Sequence, residues 1–275
     1  MEINGGNGGL HGALKNVRRS DCYLIDVDSF YPSIMINNEW FPKCRHKERF
    51  AELLKMKRDG FKEAKLMINS VYGLLEEDMR IKICKKGQEL MHELIDAIGG
   101  ELIQVNTDGL IVTRADLKRI DEWCNKNNMV TTKKHIKALV QKDVNNYMYI
   151  DDDDNLVIKG ALRKRGIVGR AVAMSLLKGT SIDAEIRDGK LMDYCEIKNA
   201  DIYVEDGVTY ICDIIRFVHT TDNTTLMIDH EQYDHCRALM GQVDNYDIDE
   251  QHIDYDYYAG IARGVYTEWT GRKAR

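Results

Sequence analysis

The chain of 275 residues carries 39 Lys/Arg against 45 Asp/Glu, a formal charge of −6, with 44% apolar residues and two prolines. No run approaches the length of about eighteen apolar residues that reads as a membrane span, and the N-terminus lacks the apolar centre of a secretory signal. Neither a membrane-embedded nor an exported protein is therefore expected, and the seven scattered cysteines, never in a C-x-x-C pair, support neither a disulfide framework nor a zinc site.

The cysteines are expected as reduced, packed thiols in a cytosolic protein. Charge is unevenly spread: residues 1–175 hold 29 Lys/Arg against 25 Asp/Glu, net +4, and the remainder holds 10 against 20, net −10. Four of the earlier acids form one tetrad, Asp151 to Asp154, so the rest of that part is more basic than its total.

A glycine-rich loop opens the chain at 5–13, and the apolar run 22–27 predicts a strand that delivers Asp26. A basic stretch, 43–65, has helical composition; Asp59-Gly60 either turns it into a helical hairpin or sits inside one helix. Lys62, Lys65, Asn69 and Tyr72 are spaced three, four and three apart, which puts them on one helix face. Residues 88–98 predict a second helix, with Gly99-Gly100 as its stop. Strands are expected at 101–105 and 110–113 around a tight turn whose tip exposes Asp108. A helix is expected at 117–128, and a hairpin at 145–150 and 156–160 with the acidic tetrad as its exposed tip. Beyond 166 the pattern mixes a helix near 171–178, strand-like runs at 208–218 and a tyrosine-rich helix at 255–269.

Three strings carry the chemistry: DVDSFYPSI at 26–34, KLMINSVYG at 65–73 and IQVNTDGLIV at 103–112. The first and third each present an aspartate at the end of an apolar, β-prone run, and the second carries a lysine on a helix. Two carboxylates hold metal ions and a cation holds a polyphosphate, which is the inventory for nucleotidyl transfer.

In this order the strings resemble motifs A, B and C of family B DNA polymerases, particularly those of tailed bacteriophages, which run D-x-x-S-L-Y-P-S, K-x-x-x-N-S-x-Y-G and D-T-D-S. Phe30 stands for the motif A leucine, motif B matches throughout, and motif C has Asn106 for its first aspartate and Gly109 for its serine. The resemblance extends through DVNNYMYI at 143–150, VIKGA at 157–161 and, more faintly, IDYDYYAGIA at 253–262.

The resemblance implies an α+β fold: a palm at 1–42 and 74–165, whose antiparallel sheet is backed by helices, short helical fingers at 43–73, and a mixed thumb at 166–275. It implies that Asp26 and Asp108 bridge two Mg²⁺ ions, with Mn²⁺ as a substitute and the Val27 carbonyl as a further ligand. Lys62 and Lys65 would face the triphosphate of the incoming dNTP, joined by Arg58 if one helix runs through Gly60. Lys55 and Lys57 read as a solvated face. Backbone amides around Asp28 to Phe30, with Ser29 shaping the turn, would meet phosphates; Tyr31 would exclude a 2′-hydroxyl; Asn69 and Tyr72 would lie under the nascent base pair. Lys159 would touch primer-template DNA, and Arg163, Lys164, Arg165 and Arg170 after it suit contacts to the duplex phosphates. Asn106 is either an outer-shell replacement that reduces activity or a residue suited to the turn.

Only about 25 residues precede Asp26, so the chain is expected to lack its own 3′-5′ exonuclease and to work with a separate exonuclease or other replication protein, docked through basic residues on the acidic C-terminal part. The implied setting is the cytoplasm of a phage-infected host. Two rivals stay open: a catalytically silent polymerase-like subunit, and a nuclease using Asp26, Asp28 and Asp108.

Overall fold

The computed structural model describes residues 1–6, 8–41, 47–239 and 252–272, and of Asn69 the backbone alone. The beginning of the basic stretch expected at 43–65, with Cys44, therefore lies outside the described residues. The chain divides into two units, Met1–Val144 with Tyr149–Asn155, and Asn145–Met148 with Leu156–Arg275.

The first unit is built from β1 (Asn4–Gly5), β2 (Leu10–Ala13), β3 (Val17–Val27), α1 (Phe30–Asn38), α2 (Lys47–Arg58), α3 (Lys62–Gly73), α4 (Glu77–Ala97), β4 (Glu101–Asn106), β5 (Gly109–Thr113), α5 (Leu117–Asn127), β6 (Thr131–Gln141) and most of β7 (Tyr147–Asp151). Its strands lie in the order β1-β2-β4-β5-β3-β6-β7. The central strand β3 pairs antiparallel with β6 from Val17↔Gln141 to Val27↔Thr131, and with β5 from Cys22↔Thr113 to Asp26↔Gly109. Ile25 and Val27 of β3 enter a core that takes Ile34 and Met35 from α1 and Leu90, Met91 and Leu94 from α4. Fully burying each such side chain contributes about 1.5–3 kcal/mol, so helices and sheet are held together chiefly by this apolar layer.

Helix α4 starts at Glu77, not at 88, because Ile83, Cys84 and Gly87 continue its buried stripe toward the N-terminus at the three-to-four spacing of one helix face. Gly99, at φ 69, ends it as expected. Gly60, at φ 96, separates α2 from α3, so the helical-hairpin alternative is the one adopted.

Asp152 to Asp154 of the acidic tetrad are exposed at the turn between β7 and the next strand, as expected of a hairpin tip, but Asp151 is buried. Lys134 meets the buried Asp151 carboxylate at 2.7 Å, His135 bonds Asp152 at 2.6 Å, and Lys137 meets Asp154 at 3.1 Å. Three basic partners along β6, Lys134, His135 and Lys137, thus tie the turn down. The Asp151 carboxyl is held at about 2, chiefly by Lys134.

The second unit contains β8 (Leu156–Lys159), a 3-10 turn at Ala161–Lys164, α6 (Gly166–Lys178), α7 (Ile182–Arg187), a 3-10 turn at Leu191–Tyr194, then β9 (Glu196–Asn199), β10 (Ile202–Glu205), β11 (Val208–Ile211), β12 (Ile214–His219), β13 (Thr225–Ile228), β14 (Glu231–Asp234), β15 (Cys236–Ala238) and α8 (Tyr255–Thr270). Two small antiparallel sheets form, ordered β11-β10-β13-β14 and β15-β12-β9. The run expected at 208–218 is two strands in different sheets. The Tyr258 hydroxyl ties α8 to its own unit, donating to the Tyr194 carbonyl at 2.9 Å and accepting from the His219 amide at 2.9 Å.

The six described cysteines are free thiols, four of them buried. Among the described residues no helix is long and apolar enough to cross a membrane.

Candidate active site

Strand β3 ends at Val27, whose amide donates to the Asp108 carbonyl at 2.8 Å, so Asp26 and the β4–β5 turn are fixed side by side. The turn is tight: Thr107 adopts φ 55 and the Asp108 amide donates to the Asn106 carbonyl at 2.7 Å. Asp108 is partly buried, where an exposed tip was expected, because β5 and β3 flank it on the sheet. Burial pushes the Asp26 carboxyl above its ordinary value and Asp28 pushes it further, with Lys57 opposing. Asp108 is likewise raised by burial and then by Asp26, partly offset by its own amide and Lys57. Two carboxylates that repel each other and are only partly compensated form an oxygen-donor pair suited to a hard divalent cation. Among the described residues no group of three or more His, Cys, Asp or Glu side chains is gathered as a finished metal site.

Asp28 takes a different part. Lys57 donates to its Oδ1 at 2.6 Å and Arg58 to its Oδ2 at 2.9 Å, while Ser29 Oγ bonds Oδ1 at 3.1 Å and also receives Lys57. Burial would raise the Asp28 carboxyl, but these donors override it and hold it below its ordinary value. Lys57, expected on a solvated face, is therefore drawn into the site. The hairpin break at Gly60 leaves Arg58 at the end of α2, off the helix of Lys62 and Lys65, where it and Lys57 reach Asp28 just past β3. Ser29, at φ 52, makes the turn into α1. The Asp28 amide is already used by the Val130 carbonyl at 2.8 Å, leaving Phe30 and Tyr31 in the first turn of α1, where amides have no intrahelical partner.

These groups open on a cleft of about 280 Å³ whose wall includes Asp26, Asp108, Ser29, Tyr31, Lys57 and Lys65. Lys62 shares α3 but does not line the cleft; the Asn69 side chain lies outside the described residues. In the cleft wall Tyr31 stacks on Tyr72, which does not line the cleft, with centroids 5.3 Å apart and planes 6° from parallel, and the Tyr72 hydroxyl reaches Cys84 Sγ at 3.3 Å. Burial raises the phenol pKa of both tyrosines. Gly87 of α4 makes room for them: a β-carbon there would stand 3.0 Å from the Tyr31 ring and 3.2 Å from the Phe30 ring.

The N-terminal glycine loop is part of the same support. A β-carbon on Gly9 would fall 2.7 Å from the Thr107 backbone, and the Thr107 amide donates to the Leu10 carbonyl at 2.8 Å. The Gln88 side-chain amide holds the loop from α4, donating to the Gly6 carbonyl at 2.9 Å and the Gly8 carbonyl at 2.6 Å. Gln88 and Lys57 escaped the sequence reading.

The remaining basic residues, Lys159, Arg163, Lys164 and Arg165, are exposed on β8 and the turn that follows it, within the second unit. Arg170, farther along α6, pairs with Asp188 at 2.9 Å.

No family model and no curated protein matches the sequence. Among solved structures, the chain is similar to the family B DNA polymerase from the hyperthermophilic archaeon Pyrobaculum calidifontis, with a TM-score of 0.61 and 14% sequence identity. The match covers 99% of this chain and 47% of that one, so the chain spans about half the length of that polymerase. What is shared is the fold, an α+β arrangement of antiparallel sheets and helices found in a family B DNA polymerase.

Proposed function

We propose that this chain performs template-directed DNA synthesis as the nucleotidyl-transfer region of a family B DNA polymerase of the phage type, with residues 1–42 and 74–165 acting as palm, 43–73 as fingers and 166–275 as thumb. The observation that carries this reading is the cleft that Asp26 and Asp108 share with Lys65 and Tyr31. Asp26, Asp108 and the Val27 carbonyl would hold Mg²⁺, as two ions, with Mn²⁺ able to replace it. Such ions, when bound, lower the pKa of the attacking 3′-hydroxyl and offset charge on the departing pyrophosphate.

The side chains around them bind and orient the dNTP. Lys65 offers a mobile point charge to the polyphosphate, and Lys57, in the wall of the same cleft, adds a second. The first-turn amides of α1 at Phe30 and Tyr31 suit phosphate oxygens. The Tyr31 ring, braced by Tyr72 and Gly87, is rigid enough to exclude a 2′-hydroxyl. Lys62 and Arg58 supply peripheral charge, and Asn69 and Tyr72 support the nascent base pair from α3. Lys159, Arg163, Lys164 and Arg165 bind the phosphates of primer-template DNA without reading its sequence.

Primer extension by the purified chain with Mg²⁺ and with Mn²⁺ tests the reading. Incorporation that is lost in Asp26→Ala and in Asp108→Ala supports it. A second reading, favoured by Asn106 in place of an acid, is a polymerase-like subunit that binds primer-template without catalysis; binding without incorporation under both metals would select it. Release of mononucleotides in the absence of dNTPs would point instead to a nuclease.

A further inference from the structure

The four-stranded sheet of the second unit, β11-β10-β13-β14, contains no lysine or arginine on any strand. Between Lys198 and Arg237 the chain has one such residue, Arg216, and it lies on β12 in the other sheet. The same span carries Asp201, Glu205, Asp206, Asp213, Asp229 and Glu231. Glu231 is engaged by Lys198 at 2.5 Å, but among the described residues no cation pairs with Asp201, Asp206 or Asp213. The Cys212 thiol, raised by burial and then by Asp229, Asp213 and Asp201, reports how closely those carboxylates crowd it.

This acidic sheet ends on an open edge. Strand β11 pairs with β10 from Ile202↔Ile211 to Glu205↔Val208, and among the described residues nothing pairs with its other side. Ile211 is 90% exposed and Val208 51%, and Ile214 just beyond is 52% exposed. Edge strands are ordinarily protected by lysine, proline or a bulge, and alternate backbone N–H and C=O groups of an edge point outward as a template for pairing. The β11 sequence, Val-Thr-Tyr-Ile, has no lysine or proline.

The charge decides what fits. A nucleic acid phosphate chain is repelled here, and a second copy would set one acidic edge against another. We propose that β11 is a docking edge for a partner protein, which adds an extended segment in which lysine or arginine alternates with β-branched apolar residues. The added strand completes the backbone ladder, its apolar side chains, all on one face, cover Ile211, and its cations meet Asp206 and Asp213. The surface is independent of whether the first unit transfers nucleotides.

The test is a titration of the full chain into a fluorescent synthetic peptide that alternates lysine with valine and isoleucine. Expected is binding that weakens as salt rises and falls about tenfold or more in Ile211→Lys and in Asp213→Lys. Both side chains are exposed, so circular dichroism of each variant should match the parent. A peptide with glutamates for lysines, and one N-methylated along its pairing edge, should not bind. Failure of the lysine peptide to bind, equal binding of the glutamate peptide or retained affinity after N-methylation overturns the proposal. So does a dimer in sedimentation that Ile211→Lys abolishes, since the edge would then be filled by the chain itself.

Discussion

Tyr31, in the first turn of α1, and Tyr72, in the last turn of α3, lie ring on ring with planes 6° from parallel. One ring faces the cleft and the other holds it from behind, so the position of Tyr31 depends on a helix distant in sequence. On the proposed function, Tyr31→Val should raise ribonucleotide incorporation relative to deoxyribonucleotide, and Tyr31→Phe should change it little. Competition assays with both nucleotide types measure this; unchanged discrimination in the valine variant would make the ring ordinary packing.

Asp26→Ala and Asp108→Ala should each lower single-turnover extension by roughly 10³-fold or more, because charge stabilisation at the reacting phosphate is lost. Stability to denaturant should hold or rise, since each removes a carboxylate that burial and a like charge disfavour. Asn106→Asp should be tolerated or stimulating.

Gln88 offers a test of support without contact to the reacting groups. Gln88→Ala removes two hydrogen bonds to the glycine loop, an expected loss of about 1 kcal/mol per bond. Hydrogen exchange should accelerate in residues 8–12 and at the β4–β5 turn, with a fall in kcat and little change in KM for dNTP. A pure KM effect would contradict the assignment of this contact to the Asp108 turn.

The ties between β6 and the acidic turn make two opposite pH signatures. His135 is raised above its ordinary value by Asp152 and then Asp21, so its contribution to stability is full below about pH 6.5 and disappears as pH rises through the folded value. Asp151 is held at about 2, so its contribution is present above about pH 4 and is lost as pH falls toward 2. Urea melts of His135→Gln and Asp151→Asn against the parent should show the first difference shrinking with alkali and the second with acid.

Much of the first unit was legible because its signals are local. The apolar run before Asp26, the turn at Asn106 to Gly109 and the lysine stripe on α3 each follow from residue spacing, and the structure draws Asp26, Asp108, Lys65 and Tyr31 around one cleft. What escaped depends on contacts distant in sequence. Lys57 reads as a surface residue, and only the fold brings it to Asp28, 29 positions earlier. Gln88 reaches carbonyls 82 and 80 positions away, and no periodicity announces that. Asp151 looked exposed because four consecutive acids rarely bury one, yet Lys134 supplies its countercharge.

Gly87 turns a missing methyl group into a measuring stick. With only hydrogen on its α-carbon, α4 sets how deeply the Tyr31 and Phe30 rings can sink. An alanine there would require the Tyr31 and Phe30 rings to give way by a few tenths of an ångström. On the proposed function, choosiness between sugars would then be adjustable from a helix position that does not line the cleft, by a dial whose smallest step is one carbon atom.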